Sequence, residues 1–201
     1  LSQRKPRGIF CCDMSDLFGI GIPETWTRVV LRAIRDNGVD RFYLLTKQAQ
    51  NLPKFSPFPE NCWVGVSVIG NGAMTNAMIG LARIQAGKRF ISFEPLLGQI
   101  GMSDHMSMKG IIDWVIIGSQ TKPTVHPKRE WVAEIISAAN TTGIPVYIKN
   151  PLASSYGIDR KEMPGGATSL IQAFEELAKI AGPYYKDIKK VDEYLKELRN
   201  D

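Results

Sequence analysis

Residues 90–94 read Phe90-Ile91-Ser92-Phe93-Glu94, a short apolar run that ends on a carboxylate. Five other runs of this kind end on a polar residue or on glycine: Ile9-Phe10-Cys11-Cys12-Asp13, Phe42-Tyr43-Leu44-Leu45-Thr46-Lys47, Trp63-Val64-Gly65-Val66-Ser67, Trp114-Val115-Ile116-Ile117-Gly118 and Val146-Tyr147-Ile148-Lys149. They recur at intervals of roughly 20 to 30 residues, the length of a strand, a loop and a helix. Short runs of β-branched and aromatic residues are typical of buried parallel strands. The repeat therefore predicts an α/β fold.

The polar endings of these runs are the second informative feature. If the strands are parallel, their carboxyl ends meet at one rim, where α/β barrels and open α/β sheets place their chemistry. The pattern therefore predicts an enzyme core.

Length and composition predict one domain over residues 1–201. The chain is 44% apolar and 22% charged, as in a soluble globular protein. The sequence contains no run of 18 apolar residues, so it predicts no transmembrane helix. Its basic start, Leu1 to Arg7, is not followed by the apolar stretch of a signal peptide. We therefore expect a cytoplasmic protein without a membrane partner. Amphipathic patterns predict a helical appendage over about 167–201.

The net charge of +5 is compatible with an anionic substrate, including nucleic acid. The lysines and arginines are scattered, however, which favours a solvated surface over a nucleic-acid footprint. The three cysteines include no C-x-x-C pair and predict no metal site in this chain. Cys11 and Cys12 are adjacent and are expected to face opposite ways on a strand, as small core residues.

Apolar stripes predict helices that cover one side of the sheet. The stripes comprise Trp26, Val29, Val30, Ala33 and Ile34, then Met74, Met78, Leu81 and Ala82, then Trp131, Ile135, Ala138 and Ala139.

Charged side chains at the strand ends are the main site candidates. Glu94 interrupts an apolar run, and a carboxylate is costly to bury without a partner. Lys47 and Lys149 could form a Schiff base or hold an anion, or could pair with a rim acid such as Glu94. Asp16 could bind a ribose hydroxyl, an amine or a metal, or could cap a loop.

Small residues and histidines give weaker signals. Gly65, Ser67 and Gly118 would let a ligand approach the backbone closely. The turn Gly70-Asn71-Gly72 could cradle a phosphate ahead of a helix. The two histidines, His105 and His126, lie in predicted loops, where capping or surface roles are expected.

Taken together, the strand endings resemble a known family. The matching segments, in order, are Cys12-Asp13-Met14-Ser15-Asp16-Leu17-Phe18, Leu45-Thr46-Lys47, Trp63-Val64-Gly65-Val66-Ser67-Val68, Ser92-Phe93-Glu94-Pro95-Leu96-Leu97-Gly98, Asp113-Trp114-Val115-Ile116-Ile117-Gly118, the stretch from His126 to Trp131, and Lys149. Over about residues 8 to 150, the chain resembles the phage-associated, radical-SAM-like family of unknown function.

That resemblance implies a radical S-adenosylmethionine enzyme built on a partial (β/α) barrel of about six parallel strands, TIM-barrel-like, with extra C-terminal helices. It implies S-adenosylmethionine and a [4Fe–4S] cluster as cofactors, and a reductant such as a flavodoxin or ferredoxin. The cluster-binding cysteine triplet of the family would lie upstream of Leu1, in a segment missing from this chain.

The resemblance also implies roles for rim residues. Asp16, Ser67, Glu94 and Gly118 would bind the cofactor, and Lys47, Asn71, Gln120 and Lys149 would contact the substrate. The chain carries Ile69 and Gln120 where the family tends to have Glu, which leaves the substrate open.

Two other functions remain as alternatives. One is a conventional barrel enzyme of the aldolase or isomerase kind, with Lys47 or Lys149 as its Schiff-base or phosphate-binding lysine. The other is a non-catalytic binding module that kept the barrel.

Overall fold

A computed structural model describes residues 6–102 and 108–165 of the chain. The predicted C-terminal appendage and His105 lie outside the described residues, as does the cluster-binding segment that the resemblance leads us to expect.

Strands and helices alternate along most of the chain. The strands are β1 (Gly8–Cys11), β2 (Arg41–Thr46), β3 (Cys62–Ser67), β4 (Lys88–Phe93), β5 (Trp114–Ile117), β6 (Gln120–Thr121), β7 (Thr124–Val125) and β8 (Val146–Ile148). The helices are α1 (Glu24–Asp36), α2 (Asn71–Ala82), α3 (Arg129–Thr142) and α4 (Leu152–Tyr156), with a 3-10 helix at Ala49–Phe55. No described helix has both the length and the apolar character needed to cross a membrane.

The main sheet confirms the predicted fold class. Its strand order is β1-β2-β3-β4-β5-β8, and every neighbouring pair is parallel. Each of the six predicted apolar runs coincides with one of these strands. The sheet forms a half-barrel of the partial (β/α) barrel type. The small strands β6 and β7 form a separate antiparallel hairpin between β5 and α3.

Side chains alternate between two faces of the sheet. One face, here called the outer face, packs against α1, α2 and α3; its buried residues include Leu44, Val64, Val66, Ile91, Phe93, Val115 and Ile117. The opposite face, here called the inner face, carries a separate cluster of Trp63, Phe90 and Trp114, against which Tyr43, Leu45, Ile116, Tyr147 and Met163 pack.

The inner face is concave. Tyr43 on β2 and Trp114 on β5 lie three strands apart, which is roughly 14 Å in a flat sheet. Their ring centroids are only 6.2 Å apart, because curvature brings both rings into the same interior. Gly65 makes room there, since a Cβ at this position would lie 2.3 Å from the Phe90 ring.

The predicted stripes of α2 and α3 are confirmed at Met74, Met78 and Leu81 and at Ile135 and Ala139, which are buried. Ala82 is exposed, contrary to the prediction, and Trp131 and Ala138 are partly buried against the core. The predicted stripe of α1 is only partly confirmed. Ile34 is buried and Val30 packs against the core as predicted. Trp26 and Val29, however, are 64% and 66% exposed, and Thr27 and Leu31 are buried instead. The Thr27 hydroxyl donates to the carbonyl of Leu17 at 2.9 Å, so a buried hydrogen bond helps set the rotation of the helix.

A returning segment covers the free edge of β8. Ile148 N donates to Arg160 O and Glu162 N donates to Val146 O, so residues 160–162 run back along the strand. The Trp114 indole N–H donates to Glu162 O at 2.8 Å and ties this segment to the inner face. These bonds occupy the backbone groups of an edge that would otherwise be open to pairing.

Candidate functional site

The polar site candidates sit at the carboxyl end of the inner face. Ser67 and Ser92 are neighbours in register on β3 and β4, and both are buried. Glu94 lies two residues after Ser92, so its side chain projects from the same side of the sheet. The inner face thus changes from aromatic side chains within the barrel to hydroxyl and carboxylate groups at its rim.

Glu94 and Lys149 form an ion pair across this rim. The Lys149 ammonium donates to Glu94 Oε2 at 2.5 Å, although the two side chains belong to the ends of β4 and β8. They are 25% and 45% exposed, respectively, so both charges remain open to solvent. The pair is therefore able to exchange its internal contact for contacts with a ligand.

Gly118 lies between the two charged residues. Gly118 N donates to Phe93 O and Lys149 N donates to Ile117 O, so the parallel hydrogen-bonding pattern continues one residue beyond the strands. A Cβ at Gly118 would lie 2.8 Å from Glu94 Oε1. The structure therefore brings together the predicted residues Glu94, Gly118 and Lys149, with Ser67 lower on the same face.

Asp16 has a bonding pattern that suits a structural role. Its Oδ1 accepts from Phe18 N at 3.0 Å, and its Oδ2 accepts from the Thr46 hydroxyl at 2.8 Å and from Lys47 N at 2.9 Å. These bonds join the loop after β1 to the end of β2. The loop-capping interpretation explains this carboxylate, and the Lys47 side chain beside it extends into solvent.

The remaining predicted residues bond within their own neighbourhoods. Asn71 Oδ1 accepts from Gly101 N at 3.1 Å and holds the start of α2 to the loop after β4. Gln120 Nε2 donates to Pro123 O at 3.3 Å, within the hairpin of β6 and β7. No described contact joins either side chain to the Glu94–Lys149 pair.

The structure brings together a second polar group that the sequence did not predict. Ser119 Oγ lies 2.7 Å from His126 Nδ1, and Ser155 Oγ lies 3.0 Å from His126 Nε2. The imidazole therefore links the end of β5, where Ser119 is buried, to α4. Serines 7 and 29 residues away from a histidine leave no recognisable sequence signal.

The cysteines differ from expectation in one respect. Cys12 lies beyond β1 with a φ of 59°, and its Sγ lies 3.8 Å from that of Cys11, so the two side chains do not face opposite ways. Burial, with the neighbouring Cys12, raises the pKa of Cys11 to about 11. Burial also raises the pKa of Cys62 to about 12.

A cavity of about 210 Å³ lies away from the rim pair. It is bounded by residues 17–22 after β1, by α1 and by the 3-10 helix, and none of the eight predicted site residues lines it. Two of the lining residues are hydrogen-bonded, since Asn51 Nδ2 donates to Phe18 O at 2.8 Å. The cavity and the rim are thus separate features of the molecule.

Comparisons with known proteins place the chain in a family. No curated protein and no solved structure matches it. A family model described as "Protein of unknown function (DUF5131)" matches residues 1–161, which include the eight described strands and the rim. The chain therefore belongs to the DUF5131 family.

Proposed function

We propose that the rim binds S-adenosylmethionine and that the chain is the core of a radical S-adenosylmethionine enzyme. The Glu94–Lys149 pair carries this proposal. The methionine part of the ligand has an α-ammonium and an α-carboxylate, and the pair offers a carboxylate and an ammonium side by side. The matching charges account for recognition of both groups at one place.

The energetic balance favours exchange of the pair for the ligand. An ion pair between exposed side chains stabilises a protein by about 0 to 1 kcal/mol. Separating Glu94 from Lys149 therefore costs little, and each side chain gains a charge-assisted hydrogen bond to the ligand. Gly118 leaves Glu94 free of a neighbouring side chain on that side.

The apolar inner face suits radical chemistry. Trp63, Phe90 and Trp114 are buried below the rim and pack together as an apolar cluster. Exclusion of water prevents side reactions of a reactive intermediate.

The described residues do not fit the iron–sulfur cluster. Among them there is no group of three cysteine, histidine, aspartate or glutamate side chains able to hold a metal ion. In this proposal the cluster ligands come from outside residues 6–102 and 108–165, and the described part supplies only the S-adenosylmethionine site.

Partners belong to the same proposal. A flavodoxin or ferredoxin would donate the electron, in the cytoplasm. The net charge of +5 is compatible with an anionic substrate such as nucleic acid.

Isothermal titration of the full chain with S-adenosylmethionine tests the proposal. Glu94→Gln and Lys149→Met are each expected to weaken binding by about tenfold, or ~1.4 kcal/mol. Glu24→Gln and Lys54→Met are matched controls. Glu24 and Lys54 form an exposed ion pair with 3.5 Å between Oε1 and Nζ, and this pair is separate from the rim pair. 5′-Methylthioadenosine lacks the amino-acid part, so its affinity should not respond to either rim substitution. Equal affinity of the rim variants and the parent, or no binding by the parent, would contradict the proposal.

The contact between Lys149 and Glu94 also supports a second candidate, the conventional barrel enzyme. An amine beside a carboxylate is the arrangement of a Schiff-base lysine with an acid–base group. Borohydride reduction in the presence of pyruvate would then attach the carbonyl compound to Lys149, as located by peptide mass spectrometry. Labelling that is unchanged in Lys149→Met would exclude this candidate.

A further inference from the structure

Two thiols meet at the carboxyl end of β1, on a different part of the sheet from the rim pair. Cys11 is the last residue of the strand, and Cys12 follows it with a φ of 59°. This left-handed conformation is unfavourable for a residue other than glycine. Here it turns the second side chain toward the first, so that the Sγ atoms lie 3.8 Å apart.

The turn after the strand holds this arrangement. Ser15 N donates to Cys12 O at 3.1 Å, and the same loop continues to Asp16, which is bonded to Thr46 and to Lys47. The backbone of the cysteine pair is therefore fixed on both sides, by β1 before it and by the Asp16 loop after it. The two sulfur atoms form a prearranged pair.

Both thiols are free, and both residues are partly buried against the core. The third cysteine, Cys62, is free but buried. The chain therefore offers one partly buried thiol pair and one fully buried thiol that serves as an internal control.

We infer that Cys11 and Cys12 form a two-thiolate site for a soft monovalent cation of the Cu(I) type. Thiolate sulfur is the ligand that soft cations select. Each thiol loses its proton as its sulfur bonds the ion, so one cation replaces two protons and no atom changes its oxidation state. The described residues supply no third or fourth ligand, which disfavours Zn²⁺ because it takes four.

Anaerobic titration of the reduced, full chain with Cu(I) in competition with bicinchoninate tests the site. The parent and Cys62→Ser should each withhold one equivalent of copper from the chelator. Cys12→Ser should weaken that retention by at least about tenfold, and Cys11→Ser should do the same. Cys12→Ser is the decisive variant because Cys12 lies outside the strand, and circular dichroism checks its fold.

Three outcomes would overturn the inference. They are a parent that leaves all copper with the chelator, a Cys12→Ser variant that withholds as much as the parent, and a Cys62→Ser variant that loses the ion. X-ray absorption of the copper complex provides a second readout, with two sulfur neighbours expected and nitrogen or oxygen neighbours contradicting the site. The outcome is independent of S-adenosylmethionine binding, since the rim variants keep both thiols.

Discussion

Gly118 and Glu94 lie side by side at the rim, and a Cβ at Gly118 would come within 2.8 Å of Glu94 Oε1. The Glu94 side chain can turn away from such an obstacle because its carboxylate is at the end of a flexible chain. Gly118→Ala should therefore leave the unfolding free energy nearly unchanged but weaken S-adenosylmethionine binding by about tenfold. Isothermal titration and urea unfolding measure the two effects. Gly98→Ala is the control, since its Cβ would contact nothing within 4 Å, and an equal loss of binding in both variants would refute the explanation.

Asp16 should prove structural. Asp16→Ala removes the acceptor of three hydrogen bonds, from Phe18, Thr46 and Lys47, and we expect a loss of about 2 kcal/mol in the unfolding free energy. Asp13→Ala, at an exposed position on the same loop, should change it by less than about 0.5 kcal/mol. Urea unfolding of both variants is the measurement, and equal stabilities would contradict the capping role.

We expect that the Phe90 ring leaves no room for a side chain at position 65, so that the fold requires glycine there. Gly65→Ala places a Cβ 2.3 Å from the Phe90 ring, and overpacking of this kind costs about 1 to 3 kcal/mol. The same substitution in a Phe90→Ala background should cost much less, since the obstructing ring is gone. A double-mutant cycle by urea unfolding measures the coupling, and additive effects would show that the ring is not the cause.

The rotation of α1 can be checked by two substitutions on one helix. Leu31 is buried and Trp26 is 64% exposed. Leu31→Ala should destabilise the protein by about 2 to 5 kcal/mol, whereas Trp26→Gln should change its stability by no more than about 0.5 kcal/mol. A large loss of stability for Trp26→Gln, measured by thermal or urea unfolding, would instead support the helix orientation expected from the sequence.

Stability should fall at high pH through the buried thiols. The pKa of Cys62 is raised by burial from 9.0 to about 12, and that of Cys11 is raised to about 11. Between pH 9 and these values the unfolded chain has lost protons that the native chain keeps, so the unfolding free energy decreases as pH rises. The contribution is complete below pH 9 and is lost through the folded-state values. Urea unfolding at pH 8 and pH 10.5 should show a smaller decrease for Cys62→Ala than for the parent.

The strands, their direction and the rim could be read from the sequence because they depend on local patterns. A short apolar run such as Trp114-Val115-Ile116-Ile117 is typical of a buried strand, and a polar residue or glycine after it marks the strand end. The spacing between runs leaves room for a crossover helix, and crossovers imply parallel pairing. The prediction of Glu94, Gly118 and Lys149 as rim residues followed from these facts alone.

The orientation of α1 could not be read because two apolar stripes compete on that helix. Trp26 and Val29 mark one stripe, Thr27 and Leu31 mark the other, and Ile34 belongs to both. Hydrophobicity favours the stripe with tryptophan, but the buried bond from Thr27 to Leu17 favours the other. A contact between residues on different segments decided the matter, and no periodicity encodes such a contact.

The sequence by itself determined which segments are strands, that they run parallel and which polar residues follow them, because these properties depend on residue type and short-range order. Only the tertiary structure decided which of those residues touch. Curvature of the sheet and the register of β4, β5 and β8 bring Glu94 to within 2.5 Å of Lys149, while Asp16 is used to hold a loop. Contacts of this kind depend on the positions of groups that are distant in the chain, and those positions are set only when the whole half-barrel is packed.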